Sequence, residues 1–176
     1  EEDLYVWLDK FTIRNLELFS SNGSVAKCSF ADTIDRTLTA MGGRQLKRWI
    51  AMPLMDTVKI ALRQDIVEKF VEDSEFADAM RDQIALISDL ERIASRVATE
   101  RVTPRELLQL KHSLAAIEMV RALMESSDVD AMHRYAERLD PLLTIRERLE
   151  RDIYPDPENN QIQKGGIIAD GVSAEL

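Results

Sequence analysis

A chain of 176 residues, with 45% hydrophobic and 31% charged residues but only six glycines and five prolines, has ample material for a core and too few turn-formers for a disordered tail. Its net charge of −9 argues against a free-standing nucleic-acid binder, and no uncharged run approaches the ~18 apolar residues that a membrane span needs. The single Cys28 excludes an internal disulfide, suits a reducing cytoplasmic setting, and reads as a small half-buried residue between Lys27 and Ser29.

In chain order, Tyr5 to Phe19 is the one β-like segment. Val6/Leu8, Phe11/Ile13 and Leu16/Leu18 alternate in pairs whose phase slips twice, which predicts short extended pieces. Ser20 to Ser24 is a loop by composition. From about Ser29 the period becomes helical: Phe30, Ile34 and Leu38 step by four on one face. Gly42-Gly43 interrupts that run as a helix–helix corner, and a second helix follows through Leu46, Trp49 and Ile50, with both apolar faces turned inward. Asp56 caps a third, marked by Leu62, Ile66 and Phe70. Ser88 and Glu91 have the spacing of a capping box before Leu90, Ile93 and Val97.

Thr103-Pro104-Arg105-Glu106 is the clearest helix start. Thr103 caps, Pro104 suits the first helical position, and Glu106 reaches back to the cap. Leu107, Leu110, Leu114, Ile117 and Val120 or Met124 then mark a long buried stripe. Ser127 and Asp140-Pro141 begin two further helices. The fold class is mainly α: an antiparallel multi-helix array over about residues 29–153, with a short extended N-terminal segment. Tyr154 to Asn160 breaks the array, and Lys164 to Gly171 reads as a turn or hairpin. Both termini read as cut, which predicts an excised piece of a longer protein.

No catalytic constellation emerges. Gly42-Gly43-Arg44 lacks the G-x-x-x-x-G-K-[ST] pattern of a phosphate loop and no strand leads into it. Arg44, Lys47 and Arg48 share one helix face, a docking surface for an acidic partner. His112 and His133 lack ligands at metal spacing and read as solvated helix histidines. Glu91, Glu100 and Glu106 alternate with Arg92, Arg96, Arg101 and Arg105, a pattern of weak i,i+4 surface pairs.

Three strings carry more. Phe11-Thr12-Ile13-Arg14-Asn15-Leu16-Glu17-Leu18, then Asp35-Arg36-Thr37-Leu38-Thr39-Ala40-Met41-Gly42-Gly43-Arg44-Gln45-Leu46-Lys47-Arg48-Trp49, then Gly165-Gly166-Ile167-Ile168-Ala169-Asp170-Gly171 occur in that order. Together with Asp89 to Ile93 and Pro104 to Leu107, they closely resemble the core (lever) domain of the bacterial MutS family of DNA mismatch-recognition ATPases. The resemblance covers essentially the whole chain: residues 1–171 as the first core segment, and 172–176 as the truncated start of an inserted clamp.

The resemblance implies a larger machine, in which a mismatch-reading domain and a connector precede the core and an ATPase follows it. This chain lacks the Phe-x-Glu mismatch wedge and the Walker motifs, so the implied segment is not itself an enzyme, and ATP and Mg belong to the parent protein. The implied role is a structural and allosteric lever that couples nucleotide state to DNA clamping. Its implied partners are the connector, clamp and ATPase domains, mismatched DNA, MutL and a second MutS subunit. Arg14, Asn15, Glu17, Asp35, Arg36, Gly42, Gly43, Arg44, Lys47, Arg48 and Trp49 become the candidate structural and allosteric residues. Two other readings stand beside it. One is a helical regulatory or scaffold module that docks a partner through Arg44, Lys47 and Arg48; the other, a nucleotide-hydrolysing enzyme, is disfavoured by the missing phosphate loop.

Overall fold

The computed structural model describes residues 5–19, 28–154, 166–169 and 172. The fold is mainly α, with nine helices among the described residues, arranged in two compact units, Glu1–Ser74 and Glu75–Leu176.

In the first unit only the start of the β-like segment is extended. Tyr5 forms an antiparallel bridge with Leu54, and Val6 N–H donates to the Pro53 carbonyl at 2.8 Å. Residues Lys10–Asn15 instead form a helix, α1, because Asp9 accepts from the Thr12 N–H at 2.6 Å. This local cap outweighs the two-residue alternation of Phe11 and Ile13. Glu17 then takes a left-handed φ of 49°, and the Glu17 and Leu18 carbonyls accept from Phe30 and Ala31, both at 3.0 Å.

Helix α2, Phe30–Ile34, opens on a capping box between Ser29 and Asp32 and ends early. The Asp35 carboxylate takes the Thr37 N–H (2.9 Å) and hydroxyl (2.7 Å), which turns the chain out of the helix. Leu38 therefore lies outside α2, and Phe30, Ile34 and Leu38 are exposed rather than turned inward.

The glycines do not form the expected corner. Thr39 caps α3, Ala40–Ala51, and Gly42 and Gly43 lie inside its first turn. A Cβ on Gly42 would sit 3.2 Å from the Thr39 capping oxygen and 3.3 Å from the Thr37 Cβ; one on Gly43 would meet only the Thr37 hydroxyl at 3.3 Å and Asp35 at 3.6 Å. Alanine gains up to about 1 kcal/mol of helix propensity over glycine, which offsets one soft contact better than two stiff ones. Gly42→Ala is therefore expected to cost about 1 kcal/mol while Gly43→Ala stays within ~0.5 kcal/mol of the parent. Urea melts of the two variants check the order, and equal effects would show that Thr37 and Thr39 simply move aside. Helix α4, Thr57–Glu72, opens as expected on Asp56, which accepts from Val58 and Lys59.

In the second unit a helix that the sequence pattern had not marked, α5 (Ser74–Ala85), buries Met80. The cap of α6, Leu90–Ala98, is Asp89 rather than Ser88. Ser88 N–H is committed elsewhere, to the buried Ser113 hydroxyl at 2.9 Å. Helix α7, Pro104–Ser126, has the expected capping box of Thr103 and Glu106 with Pro at its start. Its buried positions are Pro104, Ser113, Leu114, Ala116 and Val120, so the stripe includes small residues; Leu107, Leu110 and Ile117 are half-buried.

Helices α6, α8 (Asp130–Ala136) and α9 (Leu143–Asp152) all pack on α7. Both α8 and α9 begin later than the sequence signals suggest. The Ser127 hydroxyl and Asp140 carboxylate cap a turn first, accepting from Val129 and Leu142, and Leu142 takes a left-handed φ of 47° before α9. After α9, Ile153 bridges Ile168 in antiparallel sense, with Tyr154 N–H donating to Ile167 and Ala169 N–H to Asp152. The loop at Ser20 to Ser24, the breaker residues from Pro155 to Asn160, the hairpin's Lys164, Gly165, Asp170 and Gly171, and the clamp start at 173–176 lie outside the described residues.

Candidate functional site

The candidate residues all fall in the first unit, on α1, its exit turn, the α2–α3 link and α3. Arg14 and Asn15 are exposed in the last turn of α1. Glu17 serves through its backbone, whose carbonyl pins the start of α2. Asp35 organises the link: besides its two bonds to Thr37, its own carbonyl accepts from Arg36 Nη1 at 3.0 Å.

The basic face is less simple than its sequence suggests. Arg44 and Arg48 are exposed on α3, but Lys47 lies within electrostatic reach of both Asp32 and Asp35. Asp35 is held below the usual carboxylate range first by the Thr37 hydroxyl and then by its N–H, with Lys47 assisting; Asp32 is lowered likewise by Ser29 and Lys47. Asp32 and Lys47 also line a hollow with Phe19, Ser29, Ala31 and Ala51, which brings the residue just after the first string beside the second. The surface is thus mixed in charge, with two carboxylates fixed next to one of its three cations.

Trp49 has a partner that spacing did not reveal. The Arg63 guanidinium of α4 lies 3.8 Å from the ring centroid, so Trp49 stacks at a half-open surface rather than filling the core. An arginine fourteen residues away on the next helix gives no local signal. Cys28 is exposed rather than half-buried, with its sulfur 3.3 Å from the Thr33 hydroxyl. His112 and His133 sit exposed on helices, and His133 Nε2 lies 2.7 Å from the Ser127 carbonyl oxygen.

The glycine pair does not form a phosphate cradle. Gly42 N–H already donates to the Thr39 hydroxyl at 3.0 Å and Gly43 N–H to the Thr39 carbonyl at 3.0 Å, so neither glycine offers an amide to a nucleotide. Among the described residues no group of three or more His, Cys, Asp or Glu side chains converges as a metal site. None of the described helices is long and apolar enough to cross a membrane.

With helices, caps and candidate surface in place, comparison with known families is decisive. The family description MutS domain III matches residues 11–170. This chain belongs to the MutS family, as its domain III. DNA mismatch repair protein MutS of Phocaeicola vulgatus is 44% identical over 176 residues, 100% of this chain. The Bacteroides thetaiotaomicron MutS is 45% identical over the same length, and that of Flavobacterium johnsoniae 43% over 175 residues. The chain spans 20% of the length of each of these relatives. Membership in MutS domain III does not favour the scaffold-module reading, whose docking face also turns out to be mixed in charge.

Proposed function

We propose that this chain is the structural and allosteric lever segment of a cytoplasmic DNA mismatch-recognition ATPase, coupling nucleotide state at one end to DNA clamping at the other. The match to MutS domain III over residues 11–170 carries the reading. The mechanical part is supported by α7, whose 23 residues span about 34 Å at 1.5 Å per residue and which has α6, α8 and α9 packed on it. A helix braced on several sides moves as a unit, so a displacement at one end reaches the other.

On this reading the ATP and Mg of the parent protein are held outside this chain, as are the residues that read the mismatch. The chain's partners are the connector, clamp and ATPase domains and, through the assembled protein, mismatched DNA, MutL and a second subunit. Arg14, Asn15 and Glu17 with Arg44, Lys47 and Arg48 form the surface that meets connector and ATPase. In the full-length protein, Arg44→Glu is expected to slow ATP-triggered release of the sliding clamp from mismatched duplex at least ~10-fold while leaving mismatch affinity nearly intact. Surface plasmon resonance on end-blocked duplex, with and without ATP, measures both. Unchanged ATP-triggered release would dismiss this surface as the coupling route.

A further inference from the structure

Helix α9 is fastened to the second unit unevenly. Its far end is secure: the buried Ile153 bridges Ile168, and backbone bonds from Tyr154 to Ile167 and from Ala169 to Asp152 flank that bridge. Arg148 and Arg151 both pair with Asp152 over the last turn. The near end has none of this. Leu142, at the cap position, holds φ 47° and ψ 50°, a left-handed conformation that strains a residue with a Cβ. No side chain caps the first turn, no acidic residue lies in it, and Leu142, Leu143 and Ile145 are exposed.

We infer that α9 is a latched strap: its first two turns unwind from α7 when the Arg146–Glu118 ion pair breaks, while the buried Pro141 before them and Ile153 after them stay seated. No residue within α9 is buried, so little apolar area returns to water when it opens. Its first half is tied across to α7 by the Arg146 guanidinium, 23% exposed, on the Glu118 carboxylate, 45% exposed. A helix of 10 residues is too short to persist undocked, so lifting and unwinding are one event.

The opposite flank of α7 is built differently. Glu106, which pairs with Arg96 of α6, also closes the Thr103 capping box, so that tie does not open without uncapping α7 itself. Release is therefore confined to the α9 side. With the first turns of α9 unwound, α7 loses a brace on that side, and the latch sets the stiffness of the long helix. This last consequence rests on the lever reading. The opening itself rests on geometry alone, so failure of the Arg44→Glu experiment leaves it standing.

Hydrogen exchange of the full-length protein, read by mass spectrometry with residue-level fragmentation, tests the latch. Amides of Arg146 to Glu150 should exchange at least ~100-fold faster than those of Leu114 to Glu118 in α7, with Ile153, Tyr154 and Ala169 remaining slow. Glu118→Gln should speed the α9 set a further ~3–10-fold and leave α7 unchanged. Glu118→Arg should speed it at least as much. Adding Arg146→Glu to that variant restores the pair with its charges exchanged, and should return the rate to within ~2-fold of the parent. Equal exchange of α9 and α7 would show that α9 leaves only when the whole unit unfolds. A swapped pair that stays fast, or a Glu118→Gln variant unchanged from the parent, would show that the ion pair is not the latch. Fast exchange at Ile153 and Ala169 would show that the far end lets go as well. Each of these results overturns the inference.

Discussion

Leu114→Ala is expected to lower the unfolding free energy by about 2–5 kcal/mol, the range for a large-to-small change in a well-packed core. Leu114 is 3% exposed near the middle of α7, flanked by the buried Ser113 and Ala116. Those two small residues bring the neighbouring helices close, and the buried Ala131, Met132 and Ala136 of α8 leave little slack for the site to collapse into a void. Leu110→Ala, one turn earlier and only half-buried, removes less apolar area from shelter and should cost about half as much. Urea melts of both variants at neutral pH decide it. A Leu114→Ala cost below ~1 kcal/mol would mean that this stripe is not the centre of the second unit's core.

What was legible in the sequence is what depends on neighbours within one or two turns. Thr103, Pro104 and Glu106 each carry a helix-start signal, and all three point to the same residue, so α7 begins where expected. Asp56 was legible for the same reason, whereas the three strings were legible only as a resemblance to a known family. The misreadings arise where two local signals compete. Phe11 and Ile13 alternate like a strand, yet one carboxylate at Asp9 satisfies the amide of Thr12 and tips the segment to helix. Phe30, Ile34 and Leu38 keep a helical period, yet the Asp35 carboxylate accepts two hydrogen bonds from Thr37 and ends α2 before Leu38.

Long-range chemistry left no trace at all. Ser88 looked like a cap because its hydroxyl stands three residues before Glu91, whereas its N–H is held by Ser113, 25 residues on. The stacking of Arg63 on Trp49 and the approach of Lys47 to Asp32 and Asp35 are consequences of how α2, α3 and α4 come together. A one-dimensional pattern records the period of each helix but not the rotation that sets which side chains meet. The candidate surface was therefore legible as a list of residues on α1 and α3, and its mixed charge was not.

Glu106 shows how a local cap and a long-range contact combine, and it carries the second large expected effect. Its carboxylate accepts from the Thr103 N–H at 2.9 Å and from the Thr103 hydroxyl at 3.0 Å, while its other oxygen pairs with Arg96 of α6. The sequence reading made it one of a set of weak i,i+4 surface pairs; the structure joins two helices across ten residues, with the Glu106 side chain only 17% exposed. Glu106→Ala removes the reciprocal half of the capping box and strips Arg96 of its partner, an expected loss of about 1–3 kcal/mol. The pH dependence has a definite sign. The Thr103 N–H, more than the Thr103 hydroxyl or Arg96, holds the Glu106 carboxyl below its ordinary 4.5. A carboxyl lowered on folding stabilises the native state above its unfolded value, and that contribution fades as pH falls below about 4.5 toward the folded value. Asp9, Asp32, Asp35, Asp56 and Asp152 are lowered too, so the parent's own acid sensitivity mixes many groups. Comparing the parent with Glu106→Gln at each pH cancels those shared contributions. The stability gap between the two should be full at pH 6–7 and shrink steadily below about pH 4.5, read by urea melts across that range. A gap independent of pH would show that the charge on Glu106 contributes nothing and that its role is hydrogen bonding alone.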